Sequence, residues 1–302
     1  MARPLEVDLP RPWRAGARSR SVRALAAVGR FCRRKPLGAL GAVIILVLLV
    51  MAGFAEWIAP YAYDQQIADA RLQSPGRAFL FGTDNVGRDI FSRIVYGARV
   101  SVTVGFLTVL IGNLIAAAIG ITSGYFRGSY DIVVQRLVDA WQSFPYLIII
   151  LSLLAVLGPG MLNVILALSI LVAAAASRVI RSATLSVVEH PYIEAARAMG
   201  AGHLRVIVRH VLPNVAATIV VIATIGLGGV ILAESALSFL GFGVPPPHPS
   251  WGSMLSGSGR TYMYSAPWIA VWPGVAISLV VFGFNMLGDA LRDVLDPRLR
   301  GS

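Results

Sequence analysis

The feature that most constrains this chain is a repetition. Six times along it, an apolar run reaches or nears the roughly 20 helical residues that span a bilayer's hydrocarbon core. The runs extend from Leu37 to Ile58, Val100 to Ile121, Val133 to Leu157, Leu162 to Val179, Val215 to Leu237 and Ile269 to Leu287. Lipid offers backbone N–H and C=O groups no partners, so each run must satisfy its own, and a helix does this locally. The pattern predicts an all-α, polytopic membrane bundle of six transmembrane helices. A mean hydropathy of +0.72 over 302 residues fits lipid as the solvent. The second run carries Gly105, Gly112 and Gly120. The third is the least regular, with Arg136 and Asp139 near its start and Pro145 interrupting its first third. The first run is too long for a cleaved signal peptide, and no small-residue cleavage site follows it.

Charge sets the orientation. Ten basic residues lie between Arg3 and Lys35. The loops sharing their side hold Arg127, Arg136, Arg178, Arg181, Arg197, Arg205 and Arg209, and the C-terminus adds Arg292, Arg298 and Arg300. That is 20 of the 26 basic residues; Arg71, Arg77, Arg88, Arg93, Arg99 and Arg260 fall on the other side. Because Lys and Arg concentrate on the cytoplasmic side, both termini are expected in the cytoplasm and the chain in the inner (cytoplasmic) membrane as a multi-pass protein. The net charge of +11 gathers on one membrane face, so anionic lipid headgroups, rather than nucleic acid, are the expected counter-charge. Cys32, the single cysteine, excludes an internal disulfide and a cysteine-based zinc site.

The chain divides into a cytoplasmic tail with a short interfacial helix (1–36), the first span and an external loop (37–99), a helical core with a long cytoplasmic loop at 180–213 (100–288) and a cytoplasmic C-terminal tail (289–302). Residues 1–20 lack apolar periodicity and are expected to be disordered. From Val22 to Phe31 apolar residues recur at helical spacing beside arginines, as in a helix lying in the interface. In the external segment, Gly82 and Gly87 suit turns, and Asp84 or Asp89 suits a cap for the following helix; their spacing is not that of an EF-hand loop. The last external loop, Gly241 to Trp268, holds Pro245, Pro246, Pro247, Pro249, Trp251 and only one charged residue, Arg260. It suits a docking surface or lid, and equally a tryptophan anchor at the interface.

The loop from Ile180 to Pro213 is too long for a plain connector. His190 to Gly200 reads as a short helix, with Pro191 in its first turn, Gly200 as its stop and Glu194 near the positive end of its dipole. Ala195, Ala196 and Ala198 keep it slim enough for its backbone to enter a groove on another protein. Glu194-Ala195-Ala196, three residues, Gly200, then nine residues to His210-Val211-Leu212-Pro213 resembles the signature loop of the inner-membrane permeases of ATP-binding-cassette importers. The general pattern has isoleucine at His210; the peptide-permease branch resembles this chain there. Gly82-Thr83-Asp84 with Gly87-Arg88-Asp89, Asp139 with Phe144-Pro145, Glu234 with Leu237 to Gly241, and Pro249-Ser250-Trp251-Gly252 are similar to the C-type subunit of dipeptide, oligopeptide and nickel importers.

That resemblance, covering about Arg33 to Gly301, implies a type I importer permease fold and a peptide substrate, with nickel or another small solute as the alternative. It implies a coupling loop of Glu194, Ala195, Ala196, Gly200, Leu212 and Pro213. The expected partners are a second homologous permease, cytoplasmic ATP-binding subunits, an external substrate-binding protein and membrane lipid. Glu234, Pro249 and Trp251 are the candidates for a gate or for external partner contacts. No catalytic or metal residue is expected, and ATP and Mg would be held by the partner ATPases. The sequence agrees on one point: its only lysine, Lys35, precedes Pro36, so no Gly-x-x-x-x-Gly-Lys-Ser/Thr phosphate loop exists.

Two rival readings remain at this stage. An ion-coupled transporter would use ionisable residues at mid-membrane, but only Glu234 lies inside a span, near its external end. A membrane enzyme would draw on Asp289, Asp293 and Asp296, or on His190, His203 and His210; the aspartates have Arg292, Arg298 and Arg300 beside them, and the histidine separations fit no common zinc site.

Overall fold

A computed structural model of the protein describes residues 29 and 31–295. The expected interfacial helix falls almost wholly outside them, as do the N-terminal tail, Asp296, Arg298 and Arg300. The described residues up to Pro36 belong to one unit and those from Leu37 onward to another. In the first, Phe31 to Arg34 form a helical turn whose Phe31 carbonyl accepts from the Lys35 N–H at 2.8 Å.

The bundle starts with α1 (Pro36–Gly53), broken at Phe54 before the short α2 (Ala55–Ile58). Helix α3 (Ile90–Phe126) follows the segment 59–89, and Asp89 caps it: its Oδ2 accepts from the Ser92 N–H at 2.8 Å. Of the two aspartates proposed as caps, Asp89 takes that role. Asp84 instead closes the preceding turn, accepting from the Val86 and Arg88 amides at 2.9 Å and from Arg88 Nε at 2.6 Å. Then come α4 (Gly128–Gln142), α5 (Tyr146–Leu157), α6 (Met161–Val188), α7 (Pro191–Ala198) and α8 (His203–Val206). A π turn (Ile207–Val211) leads into α9 (Leu212–Phe239), followed by α10 (Trp251–Leu255), α11 (Gly257–Tyr262) and α12 (Trp268–Leu295).

Helices α3 and α6 run parallel, because their matched residues climb together. Ser169 Oγ donates to the Thr108 carbonyl, Gly112 faces Val172, Gly120 faces Ser177 and Ile180, and Gly124 faces Thr184. A Cβ on Gly120 would stand 2.6 Å from the Ser177 carbonyl oxygen, so only glycine permits this approach. Helix α9 runs opposite to α3, with Gly105 against Ile231 and Gly226 against Val109. Helix α12 runs opposite to both α9 (Gly228 against Phe284, Gly288 against Ile225) and α1 (Gly283 against Ile44).

This register corrects the third span. Val133 to Leu157 is not one straight helix: α4 and α5 meet at 84° across Ser143, Phe144 and Pro145. Pro145 supplies no N–H, and the residue before a proline is pushed out of the helical region. Yet the 28 residues of α6 cover about 42 Å at 1.5 Å per residue. Since α3 and α6 are parallel, the chain must regain that height between Phe126 and Met161. The bent pair is therefore the sixth crossing beside five unbroken ones, and the bundle begins and ends at the same end. Two ion pairs hold α4 to α6: Arg181 forks onto Asp131, its Nε lying 2.6 Å from Oδ1, and Arg178 reaches Asp139 at 2.5 Å.

Four of the five unbroken helices outrun the apolar runs that announced them; α3 spans 37 residues against the 22 from Val100 to Ile121, while α1, at 18, falls short of its run. The bundle holds two separate cores. The larger one includes Leu48, Ile94, Val104, Leu168, Ile231, Trp251 and Phe284. The smaller, at the end rich in arginine, joins Ile121, Tyr125, Ile180, Val188, Ile193, Val206, Val211 and Val215.

Candidate coupling loop and outer closure

The segment after α6 is a folded platform. In α7, Pro191 occupies the first turn, where an amide would lack an intrahelical partner anyway. Ile193 and Ala196, three residues apart, are both buried, and Ile193 joins the smaller core. Glu194, Ala195, Arg197 and Ala198 are exposed on the outer face. Of the three alanines that keep the helix slim, Ala195 and Ala198 are exposed and Ala196 is buried within the chain itself.

The helix stops in a Schellman motif. The Gly200 N–H donates to the Arg197 carbonyl at 2.9 Å and the Ala201 N–H to the Ala196 carbonyl at 3.1 Å. Gly200 holds φ +81°, the left-handed conformation that a Cβ opposes. Glu194 has no ion-pair partner among the described residues. Beside this polar face stand two strongly exposed apolar side chains, Met199 (82% exposed) and Leu204 (75%).

Aromatic side chains brace the platform to the end of α3. The buried Tyr125 hydroxyl lies 3.0 Å from His203 Nδ1, and the Arg197 guanidinium sits 4.8 Å above the Tyr125 ring. Arg127 reaches both the Leu185 carbonyl (3.2 Å) and Glu189 (3.3 Å). His190 stacks on Tyr192; among the described residues no three His, Cys, Asp or Glu side chains converge as a metal would need.

Leu212 and Pro213, expected in the coupling loop, stand exposed in the first turn of α9. Proline inside a helix crowds the carbonyl four residues back, here that of Arg209, and the turn preceding it is widened to a π turn. The Leu212 N–H accordingly reaches the Ile207 carbonyl, five residues back. Asn214 Nδ2 covers the His210 carbonyl at 2.6 Å.

At the opposite end, Glu234, Pro249 and Trp251 are all buried, so none presents a surface to an external partner. Trp251 (1% exposed) inserts against Gly97 and donates from Nε1 to the Ile94 carbonyl at 3.0 Å. This corrects the interfacial-anchor reading: Trp251 is a core residue. Trp268 also spends its indole N–H internally, on the Thr83 carbonyl at 3.2 Å. Ser250 caps α10 in a reciprocal box with Ser253, and Gly252 lies against the Ser235 carbonyl. Glu234 (1% exposed) accepts from Ser238 Oγ at 2.7 Å and faces Ser235 Oγ at 3.4 Å. The outward residues of this segment are Pro245, Pro246, Pro247 and His248.

The sequence reading missed the α4–α6 pairs. Asp131 accepts from Arg181 and from Ser123 Oγ, which in turn accepts from Gln135 Nε2 at 3.0 Å. Asp139 bridges Arg178 and, at 3.6 Å, Arg136. The signal was present as Asp139 within an apolar run and Asp131 just before it, but pairing them required the parallel register of α3 and α6.

Residues 116–301 match the family model for the inner membrane component of binding-protein-dependent transport systems. Residues 27–75 match the N-terminal transmembrane domain of oligopeptide transport permease C. The chain is 41% identical over 268 residues to the dipeptide transport system permease protein DppC of Alkalihalophilus pseudofirmus, covering 89% of this chain and 88% of that one. It is 40% identical over 270 residues to the glutathione transport system permease protein GsiD of Escherichia coli O6:K15:H31, covering 89% of each. Among solved structures, an inward-facing MetNI methionine ABC transporter shares the fold, with a TM-score of 0.55 and 20% identity over 68% of this chain and 98% of that one. The chain therefore belongs to the binding-protein-dependent transport family, as a multi-pass inner-membrane permease of an ATP-binding-cassette importer.

Proposed function

We propose that this permease carries small peptides into the cytoplasm, and that the platform of α7 and α8 is where an ATP-hydrolysing subunit attaches. The observation that carries the attachment is the two-faced character of α7. Ile193 fixes it to the smaller core and Ala196 is buried beside it on the helix, while Glu194, Ala195 and Ala198 face outward beside the exposed Met199 and Leu204. Large apolar side chains exposed at a rigid site suit a protein partner. The concentration of arginine at this end supports a cytoplasmic placement. A second homologous permease would complete the pathway, and an external binding protein would deliver the substrate. The peptide substrate is supported by relatives named for dipeptide and glutathione transport.

The test uses single cysteines. With the exposed Cys32 replaced by serine, cysteine at Met199 or Ala195 is expected to crosslink to the ATPase subunit and to change in yield with nucleotide. Cysteine at the buried Ala196 should not crosslink. A transport-competent complex in which none of these sites reaches the ATPase would refute the attachment. Uptake of labelled dipeptide into vesicles containing the full importer tests the substrate.

A further inference from the structure

At the end of the bundle opposite the platform lies a cleft of about 460 Å³, within the size range of small-ligand sites. One wall is arginine: Arg88 and Arg93. The other is the stiff run Pro245 to Pro247, with Ser253 and Ser256 beside it. Tyr63, stacked on His248 at 5.5 Å, ties the two walls together.

Arg93 is the unusual member. It is only 7% exposed, yet among the described residues its side chain forms no ion pair and one hydrogen bond, from NH1 to the Tyr63 carbonyl at 2.8 Å. The two carboxylates that act on it do not pair with it. Both oxygens of Asp84 are taken up by Arg88 and backbone amides, and Asp64 is solvent-exposed. Asp84 and Asp64 attract this guanidinium without pairing with it directly; a guanidinium removed from water and left without a hydrogen-bonded counter-ion is unfavourable, and its planar fork matches a carboxylate. Arg93 lines the cleft, so an anion bound there could reach its remaining N–H groups.

We infer that this cleft receives the C-terminal carboxylate of the transported peptide, with Arg93 as its binding residue and Arg88 as the second positive charge. The inference rests on the peptide reading above and deepens it. The small volume and the depth of Arg93 favour a short free peptide over an acidic side chain on a docked protein.

The experiment uses the complete membrane complex in nanodiscs without the external binding protein, so that selection by that protein does not enter. Binding of trialanine and of trialanine C-terminal amide is followed by saturation-transfer NMR. The wild type is expected to bind the free acid about tenfold or more tightly than the amide, since a site built to pair a polar group rejects the analogue lacking it. In Arg93→Gln that preference should fall to about twofold or less; in Arg93→Lys, which keeps the charge, part of it should return. Arg260→Gln, an exposed charge outside the cleft, should leave it intact, and elution as an intact complex shows that each variant folds. Equal binding of acid and amide by the wild type, no binding of either, or an unchanged preference in Arg93→Gln would overturn the inference. So would a wild type without acid preference in which Arg93→Gln instead weakens docking of the binding protein; the anion would then be the partner's. Peptide uptake by the full importer, measured alongside, separates the readings. Absence of uptake removes the peptide reading itself, whereas uptake without acid preference removes only the cleft assignment.

Discussion

Gly200 offers the cleanest test of how the platform is held, because one physical effect acts there alone. A Cβ built on Gly200 meets nothing within 4 Å, so Gly200→Ala introduces no clash. What it introduces is a methyl group on a residue at φ +81°, a left-handed conformation costing an L-residue about 1–2 kcal/mol. The cost falls on the motif closed by the Gly200 and Ala201 amides. It should lower the ratio of closed to open motif by roughly 5- to 30-fold, and the Ala201 amide, bonded to the Ala196 carbonyl, should exchange its hydrogen faster by the same factor. Gly200→Asn should lose less, since asparagine tolerates this region. Gly202 supplies the control: it too has open space around a Cβ, but its φ is −66°, so Gly202→Ala should leave exchange unchanged. On the proposed attachment, Gly200→Ala should also raise the ATP hydrolysed per peptide imported. Identical exchange at Ala201 in the Gly200→Ala and Gly202→Ala proteins would refute the reasoning.

Three further outcomes are expected. Gly97→Ala would place a Cβ 2.8 Å from the Trp251 ring, and this overpacking should cost about 1–3 kcal/mol and lower the thermal midpoint of the detergent-solubilised protein; an unchanged midpoint would show that the indole moves freely. Asp131→Asn and Arg181→Gln, alone and combined, should give a coupling energy of at least about 0.5 kcal/mol in a double-mutant cycle, and strict additivity would mean the pair does not hold α4 to α6. Tyr125→Phe keeps the ring beneath Arg197 but removes the hydroxyl bonded to His203, so it should loosen the platform by about 0.5–1.5 kcal/mol, read as faster amide exchange over residues 201–206; Tyr125→Leu should loosen it further, and wild-type exchange in both would reject the brace.

The sequence disclosed those parts of the fold that are local. Apolar length announced the spans, and His190-Pro191 and Gly200 marked the limits of α7 because helix starts and stops are short-range chemistry. The parallel contact of α3 with α6 was not legible, although Gly112 and Gly120 stood in view. A glycine shows that a close approach is allowed but not what approaches. The bend at Pro145 was visible as an irregularity, yet only that parallel register shows that the bent pair crosses. Burial misled most at Trp251. Tryptophan near a membrane boundary suits an interfacial belt, and nothing in the local pattern says that Gly97, more than 150 residues earlier, leaves space for its indole. Arg93 was counted as one external charge among six; its want of a partner exists only in three dimensions.

Both ends of the molecule depend on α3. One end carries Arg93 and receives Trp251, while the other presents Tyr125 to the platform. Between them Gly112, Gly120 and Gly124 bring α6 nearly to backbone contact, and such an interface has little slack to shear. The attachment of the platform to α9 is different in kind. There the chain passes through the π turn from Ile207 to Val211, where the regular hydrogen-bond ladder is interrupted. A force applied at α7 thus meets a stiff path into α3 and a compliant one into α9. If an ATPase moves the platform, α3 and α6 should shift as one body, carrying the α4–α5 pair with them through Asp131 and Asp139, while α9 yields at its base. Because Arg93 sits on the helix that is driven, that shift would open or close the outer cleft.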